Sequence, residues 1–200
     1  MITDYTSLKA SIAAFVHRND LTTMIPEFIA GGEDRIYQEM RVRQMEAGFS
    51  ATMSGGEATV PDDLLEWQWL YVDTSPLRKL GRRDVEWIVT HYRGDVGPPN
   101  YFARKADKLI FGPTPDADYA LIGSYYKRLA ALSDSNPTNW LTTDAPDLIR
   151  YAALCEVAPY IQDDERIAVW EGKYQTAKNR LERAEKREQF SGSKLSTKAG

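Results

Sequence analysis

The sequence predicts a mainly α member of the α+β class, in which an antiparallel helix bundle from the N- and C-terminal segments carries an inserted small antiparallel β subdomain. Two changes of pattern support this prediction. Helical spacing of apolar residues gives way to alternation near Phe49 and returns after a polar connection at residues 133–139. The expected domains are a helical bundle at 1–47 and 140–189, a β-rich insertion at 48–139 and a flexible tail at 190–200.

Two helices are predicted before the insertion. Apolar residues at helical spacing indicate the first helix over residues 5–16, with Thr6 or Ser7 as its N-cap. A second apolar stripe follows over residues 25–40, weakened in the middle by Gly31 and Gly32. We expect the basic residues along the latter half of this helix to form a solvated or interfacial face; they are Arg35, Arg41 and Arg43.

The insertion begins with a predicted hairpin, whose strands at 49–53 and 58–60 flank the turn Ser54-Gly55-Gly56-Glu57. The next strand alternates, and it places four large side chains on one face: Leu65, Trp67, Trp69 and Tyr71. We expect this row to lie in the core, and the alternative is a partner-binding face.

The remainder of the insertion is predicted to contain a short helix and three strands. The helix covers residues 82–92, with Val85, Ile88, Val89 and Tyr92 directed inward. A tight turn at 105–108 joins strands at 101–104 and 109–111, and a third strand follows at 119–127.

Two helices end the predicted fold. The first is apolar nearly all round and therefore belongs at the centre of the bundle; Asp144 is its expected N-cap and Pro159 its expected end. The second, over residues 163–189, has one apolar seam: Ile167, Trp170, Tyr174, Ala177, Leu181 and Ala184. At about 40 Å it is longer than its neighbour, so residues 180–187 are expected to project, solvated or packed on another subunit.

Composition narrows the classes of function. A net charge of −4 and a pI near 5.3 argue against a protein that wraps nucleic acid by neutralising phosphates. The single cysteine, Cys155, is expected to be buried packing, and synthesis is expected in a reducing cytoplasm. No signal peptide or long apolar run is present, so neither secretion nor a membrane association is expected.

No catalytic residue, metal site or cofactor site is predicted. His17 and His91 lack paired ligands at metal-binding spacing. Three groups of carboxylates are better explained as turns or helix caps: Asp62-Asp63 with Glu66, Asp116 with Asp118, and Asp163-Asp164-Glu165. The alternative that they leave open is a carboxylate-dependent hydrolase acting on cell-wall glycan. A third reading is a scaffold or regulatory protein-interaction module that docks partners on the face of Trp67, Trp69 and Tyr71.

A series of short segments lies in order along the chain: residues 21–29, 33–36, 41–43, 60–66, 109–115, 125–129 with 132–133, 139–141, and 163–166 with 170–171 and 173–174. Each segment alone is short, but their order and spacing span most of residues 5–190. Together these segments resemble the head-to-tail adaptor (connector) proteins of tailed bacteriophages.

This resemblance implies a structural virion protein without enzymatic activity or cofactor. It implies a homo-oligomeric ring of about twelve subunits, bound below the portal protein and joined to a nozzle or tail-tube protein. The genomic DNA would pass through the ring without specific binding. Overall similarity points to a short-tailed phage.

The resemblance also implies that the C-terminal segment docks on the portal. Carried to this sequence, the expected portal contacts are Arg180, Arg183, Arg187, Phe190, Lys194, Leu195 and Lys198. A mobile tail with one Phe and one Leu as anchors suits a segment that folds on binding, and the alternative is a frayed terminus with no role.

Overall fold

The computed structural model describes residues 1–161 and 164–190. The predicted α+β class is confirmed, with about 45% helix and 24% strand. The chain divides into two compact units. We refer to Met1–Gln44 with Leu129–Gly200 as the helical unit, and to Met45–Arg128 as the sheet unit.

The described residues form six α-helices and eight strands. The helices are α1 Tyr5–Val16, α2 Ile25–Glu39, α3 Val85–His91, α4 Trp140–Thr143, α5 Pro146–Ile161 and α6 Asp164–Phe190. The strands are β1 Glu46–Thr52, β2 Glu57–Thr59, β3 Leu64–Val72, β4 Arg78–Lys79, β5 Gly81–Arg82, β6 Tyr101–Lys105, β7 Lys108–Gly112 and β8 Ala120–Lys127.

The N-cap of α1 differs from the expected one. Ser7 donates its backbone N–H to the Asp4 carboxylate at 2.7 Å, and the Ser7 hydroxyl accepts from the Asp4 backbone N–H at 3.0 Å. This reciprocal capping box makes Asp4 the cap and places Ser7 inside the first turn. The expectation of Thr6 or Ser7 as the cap was therefore wrong.

Helix α5 lies at the centre of the helical unit, where it contacts α1, α2, α4 and α6. Its side chains are buried on several faces, as the near absence of charge predicts: Leu148, Ile149, Ala152, Ala153, Leu154, Val157 and Ala158. Both predicted ends need correction. Asp144 is the C-cap of α4, and α5 continues past Pro159 for two residues, to Ile161. Pro159 removes one backbone donor near the end of α5 without ending the helix there.

A glycine permits close packing of α2 on α5. A Cβ atom at Gly32 would lie 2.8 Å from the backbone nitrogen of Ala153 and 3.0 Å from the carbonyl carbon of Ala152. Because real Cβ atoms do not approach backbone atoms so closely, only glycine fits without a shift of one helix. Gly32 therefore sets the separation of these helices.

The connection before α4 belongs to the helical unit, whose second segment begins at Leu129. The backbone N–H of Leu132 donates to both carboxylate oxygens of Glu33, at 3.2 and 3.1 Å. Glu33 is only 2% exposed, and its carboxylate also accepts from the Asn139 side chain at 3.2 Å. These hydrogen bonds tie the connection to α2.

The sheet unit contains two four-stranded sheets. The first sheet has the order β1-β8-β3-β4 and is antiparallel throughout, and the second has the order β2-β7-β6-β5 with one parallel pair, β5 and β6. Both sheets contribute to one core: Met53, Ala58, Val60, Leu70, Val72, Leu80, Phe102, Leu109, Phe111 and Leu121.

One of the two predicted hairpins forms and the other does not. Strands β6 and β7 pair around the predicted turn, with Lys105 opposite Lys108. At the other turn, only a single bridge joins Ser54 and Glu57. There β1 continues into the first sheet and β2 into the second, so this turn carries the chain between sheets.

The predicted aromatic row on β3 is divided between two faces. The pairing of β3 with β8 is irregular between Trp67 and Trp69. Trp67 packs against the core, while Leu70 and Val72 are buried and Trp69 is 41% exposed. A bulge shifts the alternation by one residue, which places Trp67 and Trp69 on opposite faces. The row therefore forms neither one core layer nor one docking face.

Helix α3 also packs differently from expectation at one position. Ile88 is buried as predicted, but Val89, which was expected to point inward, is 55% exposed. The helix is also shorter than predicted, Val85–His91 rather than residues 82–92.

Candidate assembly surface on helix α6

Helix α6 is held against α2 by an arginine between two carboxylates. Arg35 of α2 donates two hydrogen bonds to the Glu171 carboxylate of α6, at 2.8 and 2.7 Å, and a third to Glu39 at 2.8 Å. The guanidinium also lies over the ring of Tyr174, 4.1 Å from its centroid. Two parallel bonds of this kind fix orientation as well as distance.

Glu39 extends this contact along α6. Its carboxylate accepts from the Tyr174 hydroxyl at 3.0 Å and from the Lys178 ammonium at 2.8 Å. Burial opposes the ionisation of Glu39, but hydrogen bonds from Lys178, Arg35 and Tyr174 outweigh it and lower its pKa. The hydrogen bonds from Arg35 lower the pKa of Glu171 to about 2. Both carboxylates are therefore ionised near neutral pH.

The predicted apolar seam of α6 is buried over part of its length. Trp170 and Tyr174 are 5% and 0% exposed, whereas Ile167 is 37% exposed. Toward the C-terminus the seam is less buried: Leu181 is half-buried and Ala184 is exposed. The far end of α6 is thus less buried than its middle, although residues 180–187 do not project freely as expected, since Glu185 is half-buried.

One side of the far end is nevertheless tied back to the helical unit. The backbone N–H of Arg43 donates to Glu185 at 3.2 Å, and its guanidinium forms an ion pair with Glu188. These contacts join α6 to the segment that follows α2. They also determine which side of α6 faces away from Arg43.

That outward side is basic. Arg180, Arg183 and Arg187 are exposed and recur at three- and four-residue spacing, so they share one side of the helix. They line a shallow groove with Thr176, Asn179 and Ala184. Among the described residues, no carboxylate pairs with any of the three. We call Arg180, Arg183 and Arg187 the arginine face; guanidinium groups of this kind bind carboxylates or phosphates.

The structure thus brings together three of the seven residues expected to contact a portal. Phe190 is the last residue of α6, and its side chain is outside the described part of the chain. Lys194, Leu195 and Lys198, with the rest of the predicted tail, also lie outside the described residues.

The hydrolase alternative required Asp62, Asp63 or Glu66 to line a cleft, with one of these carboxyl groups desolvated. Asp62 and Glu66 are exposed. Asp63 is half-buried and accepts a hydrogen bond from the Tyr125 hydroxyl at 2.9 Å. Burial, with this bond to Asp63, raises the pKa of Tyr125 to about 12. This is the arrangement of a structural turn, and it removes the observation on which the hydrolase reading depended.

Other chemistry is equally without support in residues 1–161 and 164–190. No group of three or more His, Cys, Asp or Glu side chains there could hold a metal ion. Cys155 is half-buried rather than fully buried as expected. Burial still raises the pKa of its thiol to about 12, so it stays protonated near neutral pH and is a poor nucleophile. None of the described helices is both long enough and apolar enough to cross a membrane.

Sequence reasoning missed the residues that position the arginine face. The Arg35–Glu39 pair was visible in principle, because residues four apart on a helix are neighbours. The bond from Arg35 to Glu171 joins residues 136 positions apart and leaves no local signal. The same holds for the ion pair between Arg43 and Glu188.

Comparison with known proteins identifies a family. The family model described as "SU10 adaptor protein" matches residues 3–196, nearly the whole chain. None of the curated proteins matches the sequence.

Proposed function

Because this chain belongs to the SU10 adaptor protein family, we propose that it forms a ring of about twelve subunits that connects the portal of a phage to its tail. Membership of this family supports a general role for the chain, which is that of a structural, non-enzymatic head-to-tail adaptor of the virion. The single observation that carries the proposal is the family match over residues 3–196.

In the proposed architecture, the helical unit is an antiparallel bundle and the sheet unit is an insertion between its segments. The central position of α5, in contact with α1, α2 and α6, supports this arrangement. The bundle then serves as the rigid base from which the far end of α6 extends.

The portal contact is proposed to be the arginine face together with the tail at residues 190–200. Arg180, Arg183 and Arg187 are exposed, share one side of the helix and have no carboxylate partner among the described residues. Arg35 and Arg43 hold the opposite side of α6 by ion pairs. A rigid helix that presents three exposed guanidinium groups suits an acidic protein surface, where electrostatic complementarity speeds association.

The ring is further proposed to enclose part of the DNA channel, with a nozzle or tail-tube protein on the tail side. A net charge of −4 fits a channel wall along which DNA slides, because phosphate neutralisation by a basic stripe would hold the DNA in place. A short-tailed phage is the proposed source of this adaptor.

Native mass spectrometry of the chain, alone and with the portal ring of the same phage, tests this function. We expect the 22.7 kDa chain to add to the portal in a fixed multiple. Failure to add at any ratio would overturn the adaptor proposal.

Two variants test the portal contact separately. Arg183→Glu and deletion of residues 190–200 should each weaken portal binding while leaving the fold intact by circular dichroism. Lys186→Glu is the matched control, since it makes the same charge change at an exposed position of α6 outside the groove. Equal binding by Arg183→Glu and Lys186→Glu would contradict the arginine face as the contact.

A further inference from the structure

We propose that the open edge of β1 accepts an extended strand from the partner on the tail side of the ring, the nozzle or tail-tube protein. This inference rests on the proposed adaptor function and assigns the surface that meets the tail. Three features of β1 support it: the direction of its backbone groups, its lack of cover, and the side chains on its two faces.

The side of β1 that faces away from β8 has unpaired backbone groups. Met53 donates its N–H to the Tyr119 carbonyl at 2.8 Å, which sets the phase of the β1–β8 ladder. Alternate residues of an antiparallel strand bond to the same neighbour, so every second residue of β1 points its backbone groups away from β8. These residues are Glu46, Gly48, Ser50 and Thr52. All four are exposed, and among the described residues none hydrogen-bonds to their backbone groups.

The opposite end of the first sheet is joined to the second sheet. Leu80, between β4 and β5, donates its N–H to the Leu70 carbonyl of the first sheet at 2.9 Å. The next residue, Gly81, donates to the Asn100 carbonyl beside the second sheet at 2.8 Å. In the second sheet, the outer strand β2 has three residues. With seven residues, β1 is therefore the longest outer strand of the two sheets.

The sequence of β1 lacks the features by which folded proteins protect an edge strand. Its seven residues include no proline, lysine or arginine, and its register with β8 runs without a bulge. Its one charged residue, Glu46, lies at the first position rather than at the centre. Since a regular edge of this kind is a template for another strand, we expect it to be covered in the assembled virion.

The core face of β1 indicates apolar residues in the added strand. Ala47, Phe49 and Ala51 are half-buried, and Phe49 meets the Trp67 ring edge-on, with 4.8 Å between the ring centroids. An added strand would place every second side chain beside these three residues, and apolar side chains there would remove them further from water. On the other face, nothing is within 4 Å of the position of a Cβ atom at Gly48, so larger side chains fit there.

Glu46 indicates a basic residue at one end of the added strand. Gln68 donates to one oxygen of the Glu46 carboxylate at 2.7 Å, but this amide is neutral and leaves the negative charge uncompensated. Among the described residues, no lysine or arginine pairs with Glu46. Because opposite charges directly across two strands attract, a lysine or arginine of the partner fits opposite Glu46.

The division of the chain into units assigns this edge to the tail side. The portal contact proposed above uses α6 and residues 190–200, which belong to the helical unit, whereas β1 belongs to the sheet unit. A ring that joins two different partners needs a second surface. Strand addition supplies main-chain hydrogen bonds for affinity and alternate side chains for specificity, which suits a lasting structural joint.

Ser50→Pro tests the strand pairing. Proline removes the outward N–H of Ser50 and obstructs an incoming strand, but the ladder with β8 keeps its donors, so the melting temperature and addition to the portal should be unchanged. The portal complex of this variant should bind the nozzle or tail-tube protein of the same phage about tenfold more weakly, as biolayer interferometry can measure. Ser50→Ala is the matched control, because it loses the hydroxyl but keeps the N–H, and it should bind normally.

Charge variants test the end of the strand without altering the backbone. Glu46→Lys should weaken binding of the tail-side protein by about fivefold, because attraction is replaced by repulsion. Glu46→Gln keeps an oxygen for Gln68 and removes only the charge, so it should weaken binding by about threefold. Glu86→Lys is the control, since it makes the same charge change at an exposed residue of α3 and should bind normally.

A photo-crosslinker identifies the occupant of the edge. The residue p-benzoyl-phenylalanine placed at Gly48 has room on the outer face of the free subunit. In the complex of portal, adaptor and tail-side protein, irradiation should link it to the nozzle or tail-tube protein, as mass spectrometry would show. A link to the portal or to a second copy of this chain would overturn the assigned occupant, and so would the absence of any link to the tail-side protein.

The outcomes separate this contact from the adaptor function. If the unaltered portal complex does not bind the tail-side protein, the proposed connection to the tail is wrong and the β1 contact falls with it. If the unaltered complex binds and a folded Ser50→Pro variant binds equally well, strand addition is wrong while the adaptor function stands. If Ser50→Pro does not fold, the Glu46 variants and the crosslink decide, and normal binding by Glu46→Lys without a crosslink would refute the contact.

Discussion

The guanidinium of Arg35 and the carboxylate of Glu171 share two hydrogen bonds, 2.8 and 2.7 Å long, and this pair joins α2 to α6. The pair orients the helix that carries the arginine face. It also makes stability depend on pH, because the hydrogen bonds from Arg35 hold the pKa of Glu171 at about 2 rather than the ordinary 4.5.

We expect the free energy of unfolding to fall as the pH is lowered from about 4.5 toward 2. A carboxylate whose pKa is lower in the folded protein stabilises it fully above its unfolded pKa and loses that contribution as it becomes protonated. Glu39, whose pKa is also lowered, contributes in the same direction. Urea unfolding monitored by circular dichroism across this range measures the effect.

Glu171→Gln should reduce that pH dependence, since the substituted amide does not titrate. Arg35→Ala should destabilise the helical unit by about 1–2 kcal/mol near neutral pH, because two carboxylates lose their shared partner. An unchanged pH profile in Glu171→Gln would contradict the assigned role of this pair.

Gly32→Ala is expected to destabilise the protein by about 1–3 kcal/mol, because its added methyl would meet the backbone of α5. The new Cβ would lie 2.8 Å from the nitrogen of Ala153. Alanine is the better helix former, so the sign of the change distinguishes steric conflict from helix propensity. Thermal unfolding of Gly32→Ala measures the sign and the size of this stability change.

Gly172→Ala is the matched control for that substitution. Gly172 lies within α6, and nothing is within 4 Å of the position of its added Cβ. Propensity alone should then stabilise the helix by about 0.5–1 kcal/mol. A stabilising effect of both substitutions would show that α2 and α5 are not in tight contact at Gly32.

Glu33→Ala should destabilise the helical unit by about 1–3 kcal/mol, because buried donors would lose their acceptor. Those donors include the Leu132 backbone N–H, 3.2 and 3.1 Å from the two carboxylate oxygens. Glu33→Gln keeps one oxygen and should recover part of the loss. Hydrogen exchange at Leu132, followed by NMR, should speed up in Glu33→Ala; unaltered exchange would refute this anchor.

Cys155 should react slowly with iodoacetamide in the folded protein at pH 8. Burial raises the pKa of its thiol to about 12, so almost none is present as the nucleophilic thiolate. Mass spectrometry should show rapid alkylation once the chain is unfolded in guanidinium chloride. Equal rates in the two states would mean that the thiol is accessible.

Local pattern predicted much of this fold. Helical spacing of apolar residues predicted α1 and α2, and a tight turn between alternating strands predicted the β6–β7 hairpin. A long run of charge around one apolar seam also identified α6, and three-to-four spacing placed Arg180, Arg183 and Arg187 on one side of it. These features depend on residues close in the chain, where backbone geometry fixes which side chains share a face.

Only the tertiary structure decided which strands meet and which side chains face inward. The turn at Gly55 and Gly56 resembles a hairpin locally, yet it separates two sheets, because the pairing partners of β1 and β2 are distant strands. One bulge moves Trp69 to the face opposite Trp67. The bond from Arg35 to Glu171 likewise depends on packing between distant segments. The sequence determines local periodicity, whereas long-range pairing and register are set by the summed burial of the whole chain.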